Sequence, residues 1–396
     1  MSVDLLQHRC DPLELMAVLV HHFGRYTMHG LRKFVFTDPE TDQSLTVSYT
    51  NRGSVVLSGN LSKARQAAIR DDVRRILIDN QEPCIAERIA YAGRPVRGQF
   101  TLEGQFQILP ISDSFLKAKG AYGNRNPFRL RYVYKSSPDL VVDASRYHSR
   151  AVKYATLLNA FLDTSIQVER SSPDFGWVLD PGWPSVPSYW HQLGFTFPGQ
   201  NGKPGKWQDT SEIAPLERTP YQEYYTARDP HRTIFRIPSN LEVSLTAALA
   251  LKGEDEARFI RAIRWLYQSV GLWEHSQSAT FVALVSALES LVEPLPPERC
   301  TNCGQLQYLI SKRFRSFLNK HVPGVDSFPK ERDLLYQVRS RLVHGLQLLE
   351  RDLNVNALFY NLQFRKDIQL HETLELITTI AVHNWLHKRV PDVNGA

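Results

Sequence analysis

The sequence predicts an α+β chain, with a mixed, strand-rich N-terminal domain followed by an all-α helical bundle. Three observations predict it. Residues 31–60 hold short alternating apolar runs broken by turn residues. Residues 171–240 lose periodicity and hold ten of the 23 prolines and four of the seven tryptophans. From about residue 255 onwards, apolar residues recur at the spacing of a helix face.

The N-terminal elements come first. Phe34-Val35-Phe36, Leu45-Thr46-Val47-Ser48-Tyr49 and Val55-Val56-Leu57 read as strands, with Asn51-Arg52-Gly53 as a hairpin turn. Residues 62–80 read as a helix, because Ala67, Ala68, Val73, Ile76 and Leu77 recur among Arg and Asp. A second strand-rich block covers about 88–135. Residues 143–165 predict an amphipathic helix with Ala151, Tyr154, Leu157, Leu158, Phe161 and Leu162 along one stripe.

The Pro- and Trp-rich stretch follows, with Trp177, Trp183, Trp190 and Trp207. Disordered linkers are poor in aromatics, so a folded connector pinned by aromatic side chains is expected, with residues 199–206 as an exposed tip. Helices are then predicted over about 255–273, 277–293, 304–320, 328–350 and 370–389. Ser327 suits the N-cap of the fourth, and Pro329 suits its first turn. Leu374, Ile377, Ala381 and Trp385 face inwards on the last. The expected division is therefore 1–140, 141–240 and 241–396, the last a helical bundle.

Composition limits the function classes. Of 396 residues, 42% are hydrophobic and 22% charged, which excludes a disordered or collagen-like chain. Mean hydropathy is −0.32, and no uncharged apolar run reaches the length of a membrane span. The first twenty residues lack the basic-then-apolar layout of a signal peptide, so a soluble cytoplasmic protein is expected. Net charge is +6, from 47 basic and 41 acidic residues. Residues 241–396 hold 18 basic and 17 acidic residues, so most of the excess lies before them. Four cysteines make no disulfide framework: Cys10 and Cys84 stand alone, and Cys300 and Cys303 form one Cys-x-x-Cys group. Structural zinc needs four ligands, so Cys300 and Cys303 with His321 make a weak metal candidate, and a turn opening the next helix is the alternative. No cofactor is expected. The sequence has no phosphate-binding glycine loop and no Gly-x-Ser-x-Gly elbow, and His21, His22 and His148 have no partner pattern.

The segment that carries chemistry runs from Tyr336 to Gly345, with Arg339, Ser340, Arg341 and His344 inside it. A metal-free RNA-cleaving site needs such groups. An imidazole, with an unperturbed pKa of about 6.5, can take the proton of a ribose 2'-hydroxyl or protonate the leaving 5'-oxygen. A guanidinium can hold the scissile phosphate and its transition-state charge. Helix geometry sets a constraint: five residues apart on a regular helix, Arg339 and His344 lie roughly 140° apart round the axis. They converge if the arginine wraps round, if the helix is distorted, or if a second copy completes the site. Arginines and histidines on a helix also make an ordinary solvated face.

Arg339-Ser-Arg-Leu-Val-His344-Gly345 resembles the Arg-x4-6-His motif of the HEPN ribonucleases. Ser340 fills the polar place after the arginine. Ser286-Ala-Leu-Glu289-Ser-Leu291 is similar to the Leu-Glu-x-Leu helix of the Apea-like HEPN group. The resemblance covers about 255–390. It implies a HEPN-like bundle and a metal-independent endoribonuclease acting at a homodimer interface, with Arg339 and His344 as the catalytic pair. It also implies products with 2',3'-cyclic phosphate and 5'-hydroxyl ends. A role in antiviral defence or as a toxin follows, with the N-terminal region sensing an unknown trigger. Many HEPN domains serve as non-catalytic dimerising modules, which is the alternative function.

Other residues take subsidiary roles. Tyr336 could touch RNA or pack a dimer, and Arg341 could bind a neighbouring phosphate or be a surface charge. Glu289 could orient an arginine of the motif or mark a boundary of its helix. Gly345, expected in mid-helix, costs about 1 kcal/mol relative to alanine there. Residues 311–320 hold four basic residues and no acid around Phe314 and Phe317, either an RNA-backbone surface or a plain amphipathic helix.

Overall fold

The structure, a computed structural model, describes residues 12–30, 32–38, 41, 43–49, 55–79, 81–111, 126–168, 176–179, 190–193, 203–226, 234–273, 275–293, 298–299, 306–307, 310–324, 329–353 and 362–390. It is α+β, strand-rich first and helical last. A helix α1 (Pro12–Phe23), which the sequence reading did not anticipate, opens the described part. An antiparallel meander follows: β1 (Tyr26–Met28), β2 (Lys33–Thr37), β3 (Ser44–Tyr49) and β4 (Val55–Gly59). The expected hairpin turn at 51–53 lies outside the described residues, but the strands on either side of it pair antiparallel. Strand alternation buries Leu45 and Val47 on one face. Helix α2 (Lys63–Arg74) is N-capped by the Ser62 hydroxyl, which accepts from the Arg65 N–H, and it runs on as a π-turn over Arg75–Asp79. These elements share a small core of their own.

The larger sheet contains β5 (Pro83–Ala92), β6 (Phe100–Leu102), β7 (Phe106–Pro110), β8 (Asn126–Lys135) and β9 (Ile166–Val168). It is antiparallel, in the order β6-β7-β8-β5-β9. The pleat places Ala86 and Ala90 opposite Tyr132 and Phe128 on one face. The small alanines leave room for helix α3 (Leu140–Phe161), whose Asp139 N-cap accepts from the Val141 and Val142 N–H groups. The opposite face is charged: Arg131 Nε donates to Glu87 at 2.8 Å.

Where it is described, the connector forms short paired strands and one helix. β10 (Gly176–Leu179) and β11 (Trp190–Leu193) pair antiparallel. β12 (Glu217–Thr219) and β13 (Arg236–Pro238) pair in parallel around helix α4 (Tyr221–Thr226). Its described anchors are Tyr224, Tyr225 and Phe235, all buried. Trp207 is half-buried, and the side chains of Trp177, Trp183 and Trp190 lie outside the described residues. The expected tip is exposed over 203–206, yet it is held down, because the Lys203 ammonium pairs with Asp143 at 2.8 Å.

The helical part contains α5 (Leu241–Ala250), α6 (Gly253–Leu272) and α7 (Gln277–Leu291). A short ladder of β14 (Glu298–Arg299) and β15 (Leu306–Gln307) follows. Then come α8 (Ile310–His321), α9 (Pro329–Val343), α10 (Glu350–Leu353) and α11 (Leu362–Arg389). Helix α8 starts six residues later than the expected 304, after the β ladder, and α11 starts eight residues before the expected 370. One continuous buried cluster runs from Ala86 to Leu386, across the boundaries expected at 140 and 240. An aromatic ladder shows how: Phe161 of α3 stacks on Phe259 of α6, and Phe259 stacks on Trp385 of α11, each at 6.3 Å. Among the described residues no helix is long and apolar enough to cross a membrane.

Candidate functional site

The helix expected over 328–350 ends at Val343, and the reason is glycine. Gly345 has φ +69°, a left-handed conformation that residues with a Cβ adopt at a cost. The Gly345 N–H donates to the Leu342 carbonyl at 3.1 Å, and the Leu346 N–H donates to the Arg341 carbonyl at 2.8 Å. That pair of bonds is the Schellman stop, which satisfies carbonyls that the helix end would orphan. Gly345 is therefore the terminator of α9, not a mid-helix residue. His344 is the last half-helical residue, and its N–H donates to the Ser340 carbonyl at 3.1 Å.

This ending sets the placement of the candidate residues. Arg339 faces α7, and its Nη2 donates to Glu289 Oε2 at 2.8 Å. Both side chains are about a quarter exposed, so the pair is partly shielded from water. Arg339 Nε is buried without a hydrogen-bond partner. A guanidinium has five N–H donors, and Glu289 takes one of them. His344 is exposed, and its imidazole makes no hydrogen bond among the described residues. No hydrogen bond joins Arg339 to His344. Ser340 is half-buried between them, and Arg341 is exposed without an ionic partner among the described residues. Tyr336 is half-buried and packs against Phe314 of α8 with ring centroids 5.3 Å apart. Cys300 and Cys303 lie outside the described residues. His321, their weak partner in the metal reading, is buried in the bundle at 5% exposure.

The turn after His344 is clamped from below. Asp352 receives the Gln277 N–H at 2.9 Å, the Ser278 N–H at 2.8 Å and the Ser276 hydroxyl at 2.8 Å. Burial alone would raise its carboxyl, but the bonds from Ser278, Ser276 and Gln277 outweigh it and hold the carboxyl below the usual carboxylate range. Asp352 thus caps the N-terminus of α7, where a negative charge is favoured. The Leu349 N–H donates to the Ser278 hydroxyl at 2.8 Å. Val343, Leu346, Leu348, Leu353 and Leu362, at the end of α9 and in the segments that follow it, are exposed, Leu346 at 73%.

A second cluster escaped the sequence reading. Ser244 Oγ lies 3.0 Å from His383 Nε2 and 3.1 Å from His387 Nε2. A hydroxyl between imidazoles looks like a nucleophile with its base. Ser244 is completely buried, so no substrate reaches it, and the cluster joins α5 to α11. Burial and the neighbouring His387 push His383 down to about 3, which keeps it neutral. The isolated histidines also have structural partners: His22 lies 3.0 Å from Asp72, and His148 Nδ1 lies 2.6 Å from Arg88 Nη1. Among the described residues no group of three or more His, Cys, Asp or Glu could hold a metal ion.

Compared with protein-family models, curated proteins and solved structures, the chain matches none.

Proposed function

We propose that the protein is a metal-independent endoribonuclease whose site forms from Arg339 and His344 of two chains. One observation carries the reading. Arg339 is held by Glu289 with donors to spare, and His344 stands unbonded at the end of the same helix, bordered by exposed leucines and valine. In a single chain the two side chains share no bond. A second copy laid across the apolar surface around Leu346 and Leu348 would bury that surface and bring a second His344 to the site.

The chemistry follows from the groups. One imidazole takes the proton of the ribose 2'-hydroxyl, and the 2'-oxygen attacks the phosphorus. The bond from phosphorus to the 5'-oxygen breaks, and an imidazolium gives that oxygen its proton. Arg339 holds the non-bridging oxygens while the phosphorane carries extra charge. Ser340, Arg341 and Tyr336 line the approach of the strand. The products are a 2',3'-cyclic phosphate and a 5'-hydroxyl. By the same resemblance the protein serves in antiviral defence or as a toxin, with the N-terminal region sensing the trigger.

The test compares wild type with His344→Ala and Arg339→Ala on RNA in EDTA, with the product ends analysed. Cleavage lost in both variants is the expected result, with the melting temperature unchanged in His344→Ala and slightly lowered in Arg339→Ala, which gives up the ion pair to Glu289. Equal cleavage by wild type and His344→Ala refutes the reading. A second reading, a non-catalytic dimerising module, is favoured by the Arg339–Glu289 ion pair, which binds two helices whether or not RNA is present. It predicts a dimer that Leu346→Glu dissociates and that cleaves no RNA.

A further inference from the structure

Away from the Arg339–His344 end of α9, a cavity of about 350 Å³ opens between the last turn of α7, helix α8 and the last turns of α11. That is within the range of small-molecule sites, about 300–1,000 Å³. Its floor is apolar and buried: Leu291, Phe317 and Trp385, with Val292 beside them. Its rim is cationic: Lys312, Arg313, Lys320 and Arg389. Glu293 is the single carboxylate among the lining residues, and it is bonded to Arg389. Arg389 also lies 3.7 Å from Asp255 and stacks over Trp385, so its charge is largely answered.

Lys312 and Lys320 are different. Both are exposed, both line the cavity, and neither is in a salt bridge among the described residues, although Lys320 is near enough to help lower the Glu293 carboxyl. The Lys388 ammonium donates to the Lys320 carbonyl, which brings a further cation to the same corner. His321 lies in the same corner. It lines the cavity at 5% exposure, and its Nδ1 has no hydrogen-bond partner. Burial, then Lys388, Lys320 and Arg389, push its imidazole down to about 4. Positive charge thus gathers over an apolar floor, and a protonated histidine is rejected there.

We propose that this cavity binds a small organophosphate, with Lys312, Arg313 and Lys320 holding the phosphoryl group and the apolar floor receiving the organic body. Lysines serve as point charges for phosphate. An inorganic anion would leave Leu291, Val292 and Phe317 uncovered. Lys312, Arg313 and Lys320 stand on α8 and Arg389 on α11, bordering a half-open hollow whose apolar floor suits an organic body, and RNA binding alone is the competing outcome of the test. The site is independent of the ribonuclease reading and stands or falls without it.

The test is calorimetric titration of the full chain at low salt with phenyl phosphate, with inorganic phosphate and with a short RNA oligomer. Phenyl phosphate is expected to bind one-to-one, more tightly than inorganic phosphate, and more weakly as salt rises. The double variant Lys312→Glu, Lys320→Glu is expected to lose about tenfold or more in affinity, the scale of one charge-assisted contact. Ser316→Trp, which fills the cavity from an exposed position and keeps every charge, is expected to abolish phenyl phosphate binding. Arg339→Ala and His344→Ala are expected to bind phenyl phosphate as wild type does. The proposal is overturned if phenyl phosphate does not saturate, if either cavity variant binds it unchanged, or if only the RNA oligomer binds.

Discussion

Replacing Gly345 with alanine separates two accounts of the motif by the sign of the effect. At φ +69° a Cβ clashes with the local backbone, which costs an L-residue roughly 1–2 kcal/mol. The space around the position is open, with no atom within 4 Å of the added methyl, so no packing term alters that cost. Alanine also narrows the unfolded ensemble, which returns about 0.4–1 kcal/mol. The net expectation is a loss of about 1 kcal/mol. A glycine in mid-helix would behave the opposite way, and alanine there would stabilise by about 1 kcal/mol. The assay is urea unfolding followed by far-ultraviolet circular dichroism. With a slope of about 3 kcal/mol/M, the midpoint should fall by about 0.3 M. A midpoint that rises or stays put would refute the Schellman ending of α9 and return His344 to the helix body.

Three further outcomes are expected. Asp352→Ala removes the acceptor of three donors at the start of α7, so the urea midpoint should drop by the equivalent of about 2 kcal/mol, and a change under half that size would contradict the cap. Acid should destabilise the fold through His383: with a folded value of about 3 and an unfolded one of about 6.5, the unfolded chain holds the extra proton between them. Stability therefore falls as pH drops from about 6.5 towards 3, by up to about 1.4 kcal/mol per unit from this group, and His383→Asn should make the slope in unfolding measured from pH 7 to 4 shallower by that share while the similarly depressed His321 keeps its own. Under the ribonuclease reading, Glu289→Gln should slow RNA cleavage at least about tenfold at a nearly unchanged melting temperature, because Arg339 loses the carboxylate that aims it; an unchanged rate would remove Glu289 from the site.

Much of the architecture is legible residue by residue. Leu45 and Val47 alternate with polar neighbours and face the core of a strand pair. Leu157, Leu158 and Phe161 mark one face of α3, and that face is buried. Helix α5 escaped notice because its sequence is apolar nearly all round, leaving no periodic contrast to read. The end of α9 was misplaced because Leu346, Leu348 and Leu349 continue the apolar run beyond Gly345. The glycine was the available signal, since a glycine after a helical run commonly stops it.

The sequence by itself determined the α+β class with strands first and helices last, the ordinary globular composition and the local grouping of Arg339, Ser340, Arg341 and His344. Those properties depend on residues within a turn or two of each other, and periodicity records them directly. The tertiary structure decided that Arg339 is bound to Glu289, fifty positions earlier in the chain. It also decided that one core crosses both expected boundaries, and that Lys312, Lys320 and Arg389 surround one apolar hollow. Each of those outcomes depends on which buried faces meet, and that choice is made by the summed burial of side chains far apart in sequence.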